Sequence, residues 1–275
     1  MYTLKTINAR LLTVFAVFLC TCGLSAAQEI RPHTAIYEVR LGTVTGPGAP
    51  AGLSGTMVYV VEEACDGFNQ VSNLDVTILD RRGRRSNLRQ TFTSFEAADG
   101  QSSTFDMKIV SDGRQIDAYD GRVDIKSRGG EMLYLREASS EIPDGETTYA
   151  LPGDAQLSLA YTAEVVDVAK AGERFASSIV ADGLLEDGPY RISAVIGQRK
   201  TERPKVSDPD GLLRGPPWPA QLAYYPVSSS SELPVQEMRV ELYEGGIVGK
   251  IDQNMGDYIV TTTLLDLQSA KHCIE

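Results

Sequence analysis

The first half of the chain alternates apolar and polar residues over short segments. In residues 31–41 every second side chain from Ala35 to Leu41 is apolar, and the same alternation returns in residues 55–63 and 68–79. A period of two is typical of a strand with one buried face. Asp66-Gly67 separates the second and third segments and predicts a tight turn between them.

Strands and turn dipeptides continue through the next fifty residues. Asp-Gly pairs at residues 99–100, 112–113 and 120–121 predict tight turns, since Asp and Gly are common where φ is positive. The predicted strands are residues 86–96, 102–110, 115–119, 123–127 and 131–135. Closely spaced turns of this kind indicate an antiparallel meander.

One segment has a helical period instead. Leu159, Ala163 and Val166 recur at helical spacing within residues 156–171, and Gly172 follows as a C-terminal cap. The sequence therefore predicts one substantial helix whose apolar side packs on the sheet. Its other face is short of Lys and Arg, which disfavours a membrane-binding role.

The last third of the chain predicts a long loop followed by more strands. Residues 200–219 are rich in proline and charge, which favours a surface loop. The tail predicts three strands, at residues 237–243, 247–252 and 258–268, with turns at residues 244–246 and 255–257.

Several of these segments carry a family resemblance. In chain order they are HTAIYEVRL, GTMVYVVEEACDGF, the pattern from Phe95 to Asp106, AGER at residues 171–174 and Trp-Pro at residues 218–219. Together they resemble the EipB family of cell-envelope integrity proteins, formerly a domain of unknown function (DUF1849) in alphaproteobacteria. The resemblance covers residues 32–273, with departures at Phe68 and at residues 151–153.

The resemblance implies an all-β fold of mainly antiparallel strands. The expected architecture is a β-spiral, an incompletely closed barrel-like sheet of roughly a dozen or more strands, with one packed α-helix. We expect a single domain over residues 28–275.

Residues 1–27 have the features of a secretory signal peptide. Lys5 and Arg10 form a basic start, residues 11–22 form an apolar run, and Ser-Ala-Ala at residues 25–27 fits a cleavage site. The apolar run is shorter than the roughly 20 residues that span a bilayer, and no later segment is long enough to do so. The sequence therefore predicts export to the periplasm without a membrane span after cleavage.

The cysteines divide between the leader and the mature chain. Cys20 and Cys22 lie in the leader, and a lipid anchor on either is disfavoured because neither follows the small residue that such a signal requires. Cys65 and Cys273 remain, and in an oxidising compartment they permit a single disulfide. The alternative is two unrelated buried thiols.

Net charge limits the partners. The formal net charge of −11 disfavours nucleic acid as a ligand. Arg81, Arg82, Arg84 and Arg85 form a basic cluster at a predicted hairpin tip. It could contact phosphate or a lipid headgroup, although a charged loop that keeps a sheet edge soluble is the favoured interpretation.

The chain offers little chemistry for catalysis. No G-x-S-x-G motif is present, and a Ser-His-Asp arrangement would have to use His33 or His272, the two histidines of the sequence. Zinc and calcium sites are disfavoured for lack of histidines and of regularly spaced acidic residues. We therefore expect neither an enzyme nor a cofactor.

Aromatic residues on the predicted strands leave two functions open. The simplest interpretation is that they are core residues; they are Tyr37, Tyr59, Phe92, Phe95, Phe105, Trp218, Tyr224 and Tyr225. The resemblance then implies a non-enzymatic periplasmic protein that maintains envelope integrity and resistance to envelope stress through contacts with a protein partner. Alternatively, the aromatics line a groove, and the protein is a carrier or sensor of a lipid or other apolar ligand, similar in architecture to periplasmic lipoprotein carriers.

Overall fold

The alternating segments form one sheet in the structure, a computed structural model that describes residues 30–139, 143–185, 188–203 and 205–273. The predicted signal peptide lies outside the described residues. Fourteen strands belong to the sheet, and each pair of neighbours is antiparallel. The strands are β1 His33–Val44, β2 Gly52–Ala64, β3 Gly67–Leu79, β4 Arg85–Ala97, β5 Ser102–Ser111, β6 Arg114–Asp124, β7 Gly130–Arg136, β8 Gly145–Leu151, β9 Phe175–Val180, β10 Tyr190–Ile196, β11 Trp218–Pro226, β12 Gln236–Leu242, β13 Val248–Asn254 and β14 Tyr258–Ser269.

The strand order follows from the way hairpins are added on either side of β1. The order is β8-β7-β6-β5-β4-β3-β2-β1-β14-β13-β12-β11-β10-β9. The chain thus moves outward from β1 to β8, crosses to the far edge at β9 and returns hairpin by hairpin until β14 pairs with β1. Within the described residues β8 and β9 do not pair with each other, so the sheet is open. The expected fold class, an incompletely closed antiparallel sheet with one helix, is confirmed.

The helix, α1 (Ser158–Lys170), packs against strands from both halves of the sheet. Leu159 and Ala163 pack against Val61 of β2, while Val165 and Tyr161 pack in the cluster formed with β9–β12. Gly172 follows the helix with φ of 80°, and the N–H of Glu173 donates to the carbonyl of Val168, which completes the predicted glycine cap.

The predicted turn at Asp120-Gly121 is wrong. Residues 115–119 and 123–127 were expected to be two strands, but β6 runs unbroken from Arg114 to Asp124. At Gly121 the ring of Phe105 and the carbonyl of Leu133 occupy the space that a Cβ would need. Glycine is therefore required there for close packing within the sheet and not for a turn.

The edge strand β8 (Gly145–Leu151) has no counterpart among the predicted elements. Most of its side chains are exposed on both faces of the strand. Burial of one face is what produces the alternating pattern, so an exposed edge strand lacks the signal that identified the others.

A disulfide joins Cys65, in the turn after β2, to Cys273, beyond the end of β14, with 5.1 Å between the Cα atoms. Strand β1 lies between β2 and β14 and pairs with both, so the bond links its two neighbours near the start of β1. The backbone adds to this link, because the Glu63 N–H donates to the Lys271 carbonyl. In the part of the chain that the structure describes, no helix is long and apolar enough to cross a membrane.

Candidate ligand-binding cavity

The concave side of the sheet encloses an inner cavity of about 240 Å³. It lies beside the first turn of α1, and strands β1–β4 and β13 supply most of its wall. Apolar side chains dominate the lining; examples are Ile30, Tyr37, Val61, Phe92, Leu159 and Ile251. A cavity of this kind is suited to an apolar group of a ligand.

An outer chamber of about 650 Å³ lies next to the inner cavity. Met57, Ser72, Leu184 and Ile251 line both spaces, so the two are neighbours. Further apolar residues line the chamber, including Leu74, Met107, Ile109, Leu185 and Val260. Polar side chains contribute as well, namely Gln90, Gln236, Gln253 and Thr262, so the chamber is more polar than the inner cavity.

A hydrogen-bonded chain of polar side chains lies at the inner end. The Tyr59 hydroxyl donates to Gln70 Oε1 at 2.7 Å, and Gln70 Nε2 donates to Glu96 Oε1 at 2.8 Å and to Ser94 Oγ at 3.1 Å. The Leu159 N–H, in the first turn of α1, donates to Glu96 Oε2 at 3.1 Å. The network therefore connects β2, β3 and β4 to the helix.

Burial controls the protonation of Glu96. The residue is only 5% exposed, and burial raises the pKa of its carboxyl to about 7, while hydrogen bonds from Leu159 and Gln70 oppose this rise. The nearby Asp182 carboxyl also raises the pKa of Glu96. Near neutral pH the group consequently exists both as the acid and as the carboxylate.

Asp182 is the second carboxyl on the cavity wall. It belongs to a loop, residues 181–185, that the hydroxyls of Tyr119 and Tyr134 hold by donating to the carbonyls of Leu184 and Leu185. Burial raises the pKa of Asp182, although the Leu184 N–H donates to its Oδ1 at 2.9 Å.

His33 lies at the start of β1 and also lines the inner cavity. It is 1% exposed, and its Nδ1 lies 2.7 Å from the Arg31 carbonyl oxygen. A carbonyl only accepts, so Nδ1 carries the proton and Nε2 of the neutral ring is an acceptor. Among the described residues Nε2 has no hydrogen-bond partner. Burial lowers the pKa of the ring, which favours this neutral form.

The arrangement needed for a serine hydrolase is not formed by the described residues. His33 shares the cavity with Ser72, Ser94 and Ser158, but its Nε2 bonds to none of them. His272 is exposed and lies 3.1 Å from a carboxylate oxygen of Glu63. Across the described part of the chain no cluster of His, Cys, Asp and Glu could hold a metal ion.

The predicted arginine cluster lies at the exposed turn between β3 and β4, and none of its members lines the cavity. Arg84 Nε donates to Asp80 Oδ2 at 2.8 Å, and Arg81 Nε donates to the Ala49 carbonyl at 3.0 Å. Arg82 and Arg85 are exposed. A contact between Arg81, Arg82, Arg84 or Arg85 and an anionic headgroup stays a prediction.

Sequence reasoning missed Gln70, Glu96 and Asp182. A signal was present for Glu96, because it shares one face of β4 with Ser94 and with the buried aromatic Phe92. A carboxyl in an inward-facing position is unusual and marks a candidate site. Asp182 gave no such signal, since it lies in a loop.

Comparisons with known proteins agree with this architecture. The sequence profile described as EipB-like matches residues 24–271. A curated protein of Brucella abortus (strain 2308), "Cell envelope integrity protein EipB", is 27% identical over 257 residues, which cover 88% of this chain and 86% of that protein. A crystal structure titled as a beta-barrel-like protein of domain of unknown function DUF1849, also from Brucella abortus, has a TM-score of 0.76 at 22% identity and covers 88% of this chain and 99% of that chain. Since the profile spans nearly all of the sequence, the chain belongs to the EipB-like family.

Proposed function

We propose that this protein supports cell-envelope integrity from the periplasm by holding an amphiphilic molecule inside its curved sheet, without catalysing a reaction. The observation that carries the proposal is the mainly apolar inner cavity, with the outer chamber next to it. Ligand sites in proteins are typically apolar clefts of about 300–1,000 Å³ with a few polar groups that orient the ligand. The inner cavity has this character, since it is mainly apolar and has a polar network at one end.

The biological role is supported by the Brucella relative, which is named for cell-envelope integrity. The periplasmic location is supported by the predicted signal peptide at residues 1–27 and by the Cys65–Cys273 disulfide, because disulfides persist in oxidising compartments. In this account the protein binds a lipid or another amphiphile of the envelope.

A cavity-filling variant tests the proposal in cells. Ser72 lines both the inner cavity and the outer chamber, so the ring of Ser72→Phe should fill space in which a ligand would lie. A strain that lacks the protein is expected to become sensitive to detergent. The wild-type gene should restore resistance, and Ser72→Phe should not.

Ser177→Phe is the matched control, since Ser177 is exposed on β9. It should restore resistance like the wild type. Full restoration by a folded Ser72→Phe protein, present at the wild-type level, would contradict a role for the cavity.

A protein partner is the second candidate, favoured by an exposed apolar pair at the open edge of the sheet. Phe175 of the edge strand β9 and Val195 of β10 face each other in register and are 61% and 59% exposed. Exposed apolar patches next to a sheet edge often mark interaction surfaces. A partner captured from the periplasm by the wild type and lost with Phe175→Ser would support this function; capture of the same proteins by both would oppose it.

A further inference from the structure

The turns that follow β1, β3, β5, β11 and β13 all lie at one end of the sheet, because neighbouring strands are antiparallel and the chain reverses at each turn. We call this end the rim; it comprises residues 44–51, 80–85, 112–114, 227–235 and 255–257. The Thr45 N–H donates to the Asp257 carbonyl at 2.8 Å. Arg81 Nε donates to the Ala49 carbonyl at 3.0 Å. Turns from separate hairpins are therefore held side by side.

One section of the rim is basic. The turns after β3 and β5 contribute Arg81, Arg82, Arg84, Arg85 and Arg114. The acidic residues of these turns are already engaged, since Asp80 pairs with Arg84 at 2.8 Å and Asp112 Oδ1 accepts the Asn87 N–H. Arg82, Arg85 and Arg114 are exposed, and within the described residues none of them forms an ion pair. Their guanidinium groups are available to an external anion.

The adjoining section of the rim is apolar. Its exposed apolar side chains belong to the turns after β1, β11 and β13; they are Val44, Val227, Leu233, Val235 and Met255. These are five of the ten large apolar side chains that are exposed in the described part of the chain, so such exposure is concentrated at this end. Leu233 is 74% exposed and Met255 47%. Concentrated apolar exposure beside polar groups marks an interaction surface.

The outer chamber lies on the rim side of the inner cavity. On β3 the inner cavity is lined by Gln70 and Ser72, whereas the outer chamber is lined by Ser72 and Leu74, which is closer to the turn. On β4 the outer chamber is lined by Gln90, which is likewise closer to that turn than Phe92. A surface that contacts the rim would therefore be nearer to the outer chamber than to the inner cavity.

We propose that the rim docks onto a bilayer surface that contains anionic lipids. Arg82, Arg85 and Arg114 contact the phosphate headgroups, and Leu233 and Met255 insert between them. Apolar side chains next to basic ones suit the bilayer interface, where each apolar group leaves water and each cation meets negative charge. The formal net charge of −11 opposes approach by any other part of the surface, so the contact is confined to the rim. This inference goes beyond the proposed function, since a protein can hold an amphiphile without touching a bilayer.

Vesicle flotation with protein purified from the periplasm tests the docking. The probes are phosphatidylcholine vesicles with and without phosphatidylglycerol. The wild type should bind the anionic vesicles at least tenfold more tightly than the neutral ones. Binding should weaken as salt is raised, because the screening length falls from about 10 Å at 0.1 M to about 3 Å at 1 M. Absence of binding, or equal binding to both vesicles, would overturn the inference.

Removal of the available arginines tests the basic section. In a combined variant with Arg82→Ser, Arg85→Ser and Arg114→Ser, affinity for anionic vesicles should fall at least tenfold. Each basic residue near an anionic membrane contributes about 1 kcal/mol, or about a fivefold factor in affinity.

The matched control removes the same charge at the opposite end of the sheet. Lys126 and Arg128 lie after β6, Lys271 lies after β14, and all three side chains are exposed. Their combined replacement by serine should change the affinity less than threefold. Equal losses in the two variants would show that net charge alone governs binding and would overturn docking through the rim.

The apolar section is tested in the same way. Leu233→Ser combined with Met255→Ser should weaken binding to anionic vesicles at least fivefold, because less apolar surface leaves water. Phe175→Ser combined with Val195→Ser is the control, since this exposed pair lies at the opposite end of the sheet. An unchanged affinity in the first variant would contradict insertion.

The outcomes separate this inference from the proposed function. If the wild type carries an amphiphile but binds no vesicle, the proposed function stands and the docking is wrong. If it binds anionic vesicles through the rim but carries no amphiphile, the docking stands and the proposed function fails. If a rim variant does not fold, the comparison of the two vesicle compositions on the wild type decides the inference.

Discussion

Glu96 joins the sheet to the helix. Its carboxyl belongs to β4, accepts the Gln70 amide within the sheet and accepts the Leu159 N–H at the first turn of α1. The first N–H groups of a helix have no partner inside the helix, so an acceptor supplied by the sheet stabilises the docking of α1. This side chain therefore contributes, with the apolar contacts of α1, to the position of the helix beside the inner cavity.

The raised pKa of Glu96 predicts a pH-dependent stability. A carboxyl whose pKa rises on folding holds its proton more tightly in the folded state, so the free energy of unfolding falls as pH rises between its two pKa values. For Glu96 this window runs from the ordinary value of 4.5 to about 7. The loss through this group is about 3 kcal/mol, since one pKa unit corresponds to about 1.4 kcal/mol.

Glu96→Gln removes this titration. As pH rises through this window, the unfolding free energy of the wild type should fall by about 3 kcal/mol more than that of the variant. Urea denaturation at several pH values measures the difference. Glu131→Gln, at an exposed position, is the control and should keep the wild-type profile. Parallel profiles for Glu96→Gln and the wild type would show that Glu96 does not titrate in this window.

Single residues differ in how far the sequence reveals them. The pairing of Cys65 with Cys273 could be predicted because removal of the leader leaves two cysteines in the chain. The polar network could not, because Tyr59, Gln70 and Glu96 meet only once three strands pair in the correct register. The partnerless state of His33 Nε2 depends in the same way on the folded surroundings.

At the scale of elements, the Asp-Gly pairs show what local sequence can and cannot decide. Gly100 and Gly113 have φ of 68° and 80° and form the predicted turns. Gly121 belongs to an equally good turn dipeptide but lies within β6, where Phe105 packs against it. Local preference for a turn is overridden because neighbouring strands bury the segment.

Gly121→Ala tests the close packing inside β6. The added Cβ would meet the Leu133 carbonyl and the Phe105 ring, so the variant should lose roughly 1–3 kcal/mol of unfolding free energy. Gly145→Ala on β8 is the control, because its Cβ would meet no atom within 4 Å. Chemical denaturation should leave the Gly145 variant as stable as the wild type; equal losses in the two variants would refute the packing argument.

At the scale of the whole molecule, periodicity predicts strands but not their order. The chain passes from β8 at one edge of the sheet to β9 at the opposite edge, with α1 between them. The residue pattern of residues 145–180 does not reveal this crossing. The β-spiral was expected from the family resemblance. The cavity follows from the curvature of the complete sheet around α1. Some of the aromatic residues predicted on strands line it. Tyr37, Tyr59 and Phe92 line the inner cavity, whereas Phe105 and Tyr224 pack in the core away from it.

The disulfide closes a loop that covers most of the described chain, since its cysteines are 208 positions apart in the sequence. The loop-entropy model gives an upper value of about 5 kcal/mol for a loop of this size. Cys65→Ser and Cys273→Ser should therefore lower the melting temperature equally, on the order of 10 °C. Scanning calorimetry of both variants, with reduced wild type as the control, measures this. Unequal losses, or a wild-type melting temperature in both, would refute the stabilising role of the bond.

Native mass spectrometry of the protein purified gently from its own cell envelope tests the central claim most directly. The account predicts a bound amphiphile on the wild type and on Ser177→Phe, and its loss from Ser72→Phe, whose new ring would fill ligand space beside Leu184. An unliganded wild-type protein, or the same bound mass on a folded Ser72→Phe protein, would contradict it.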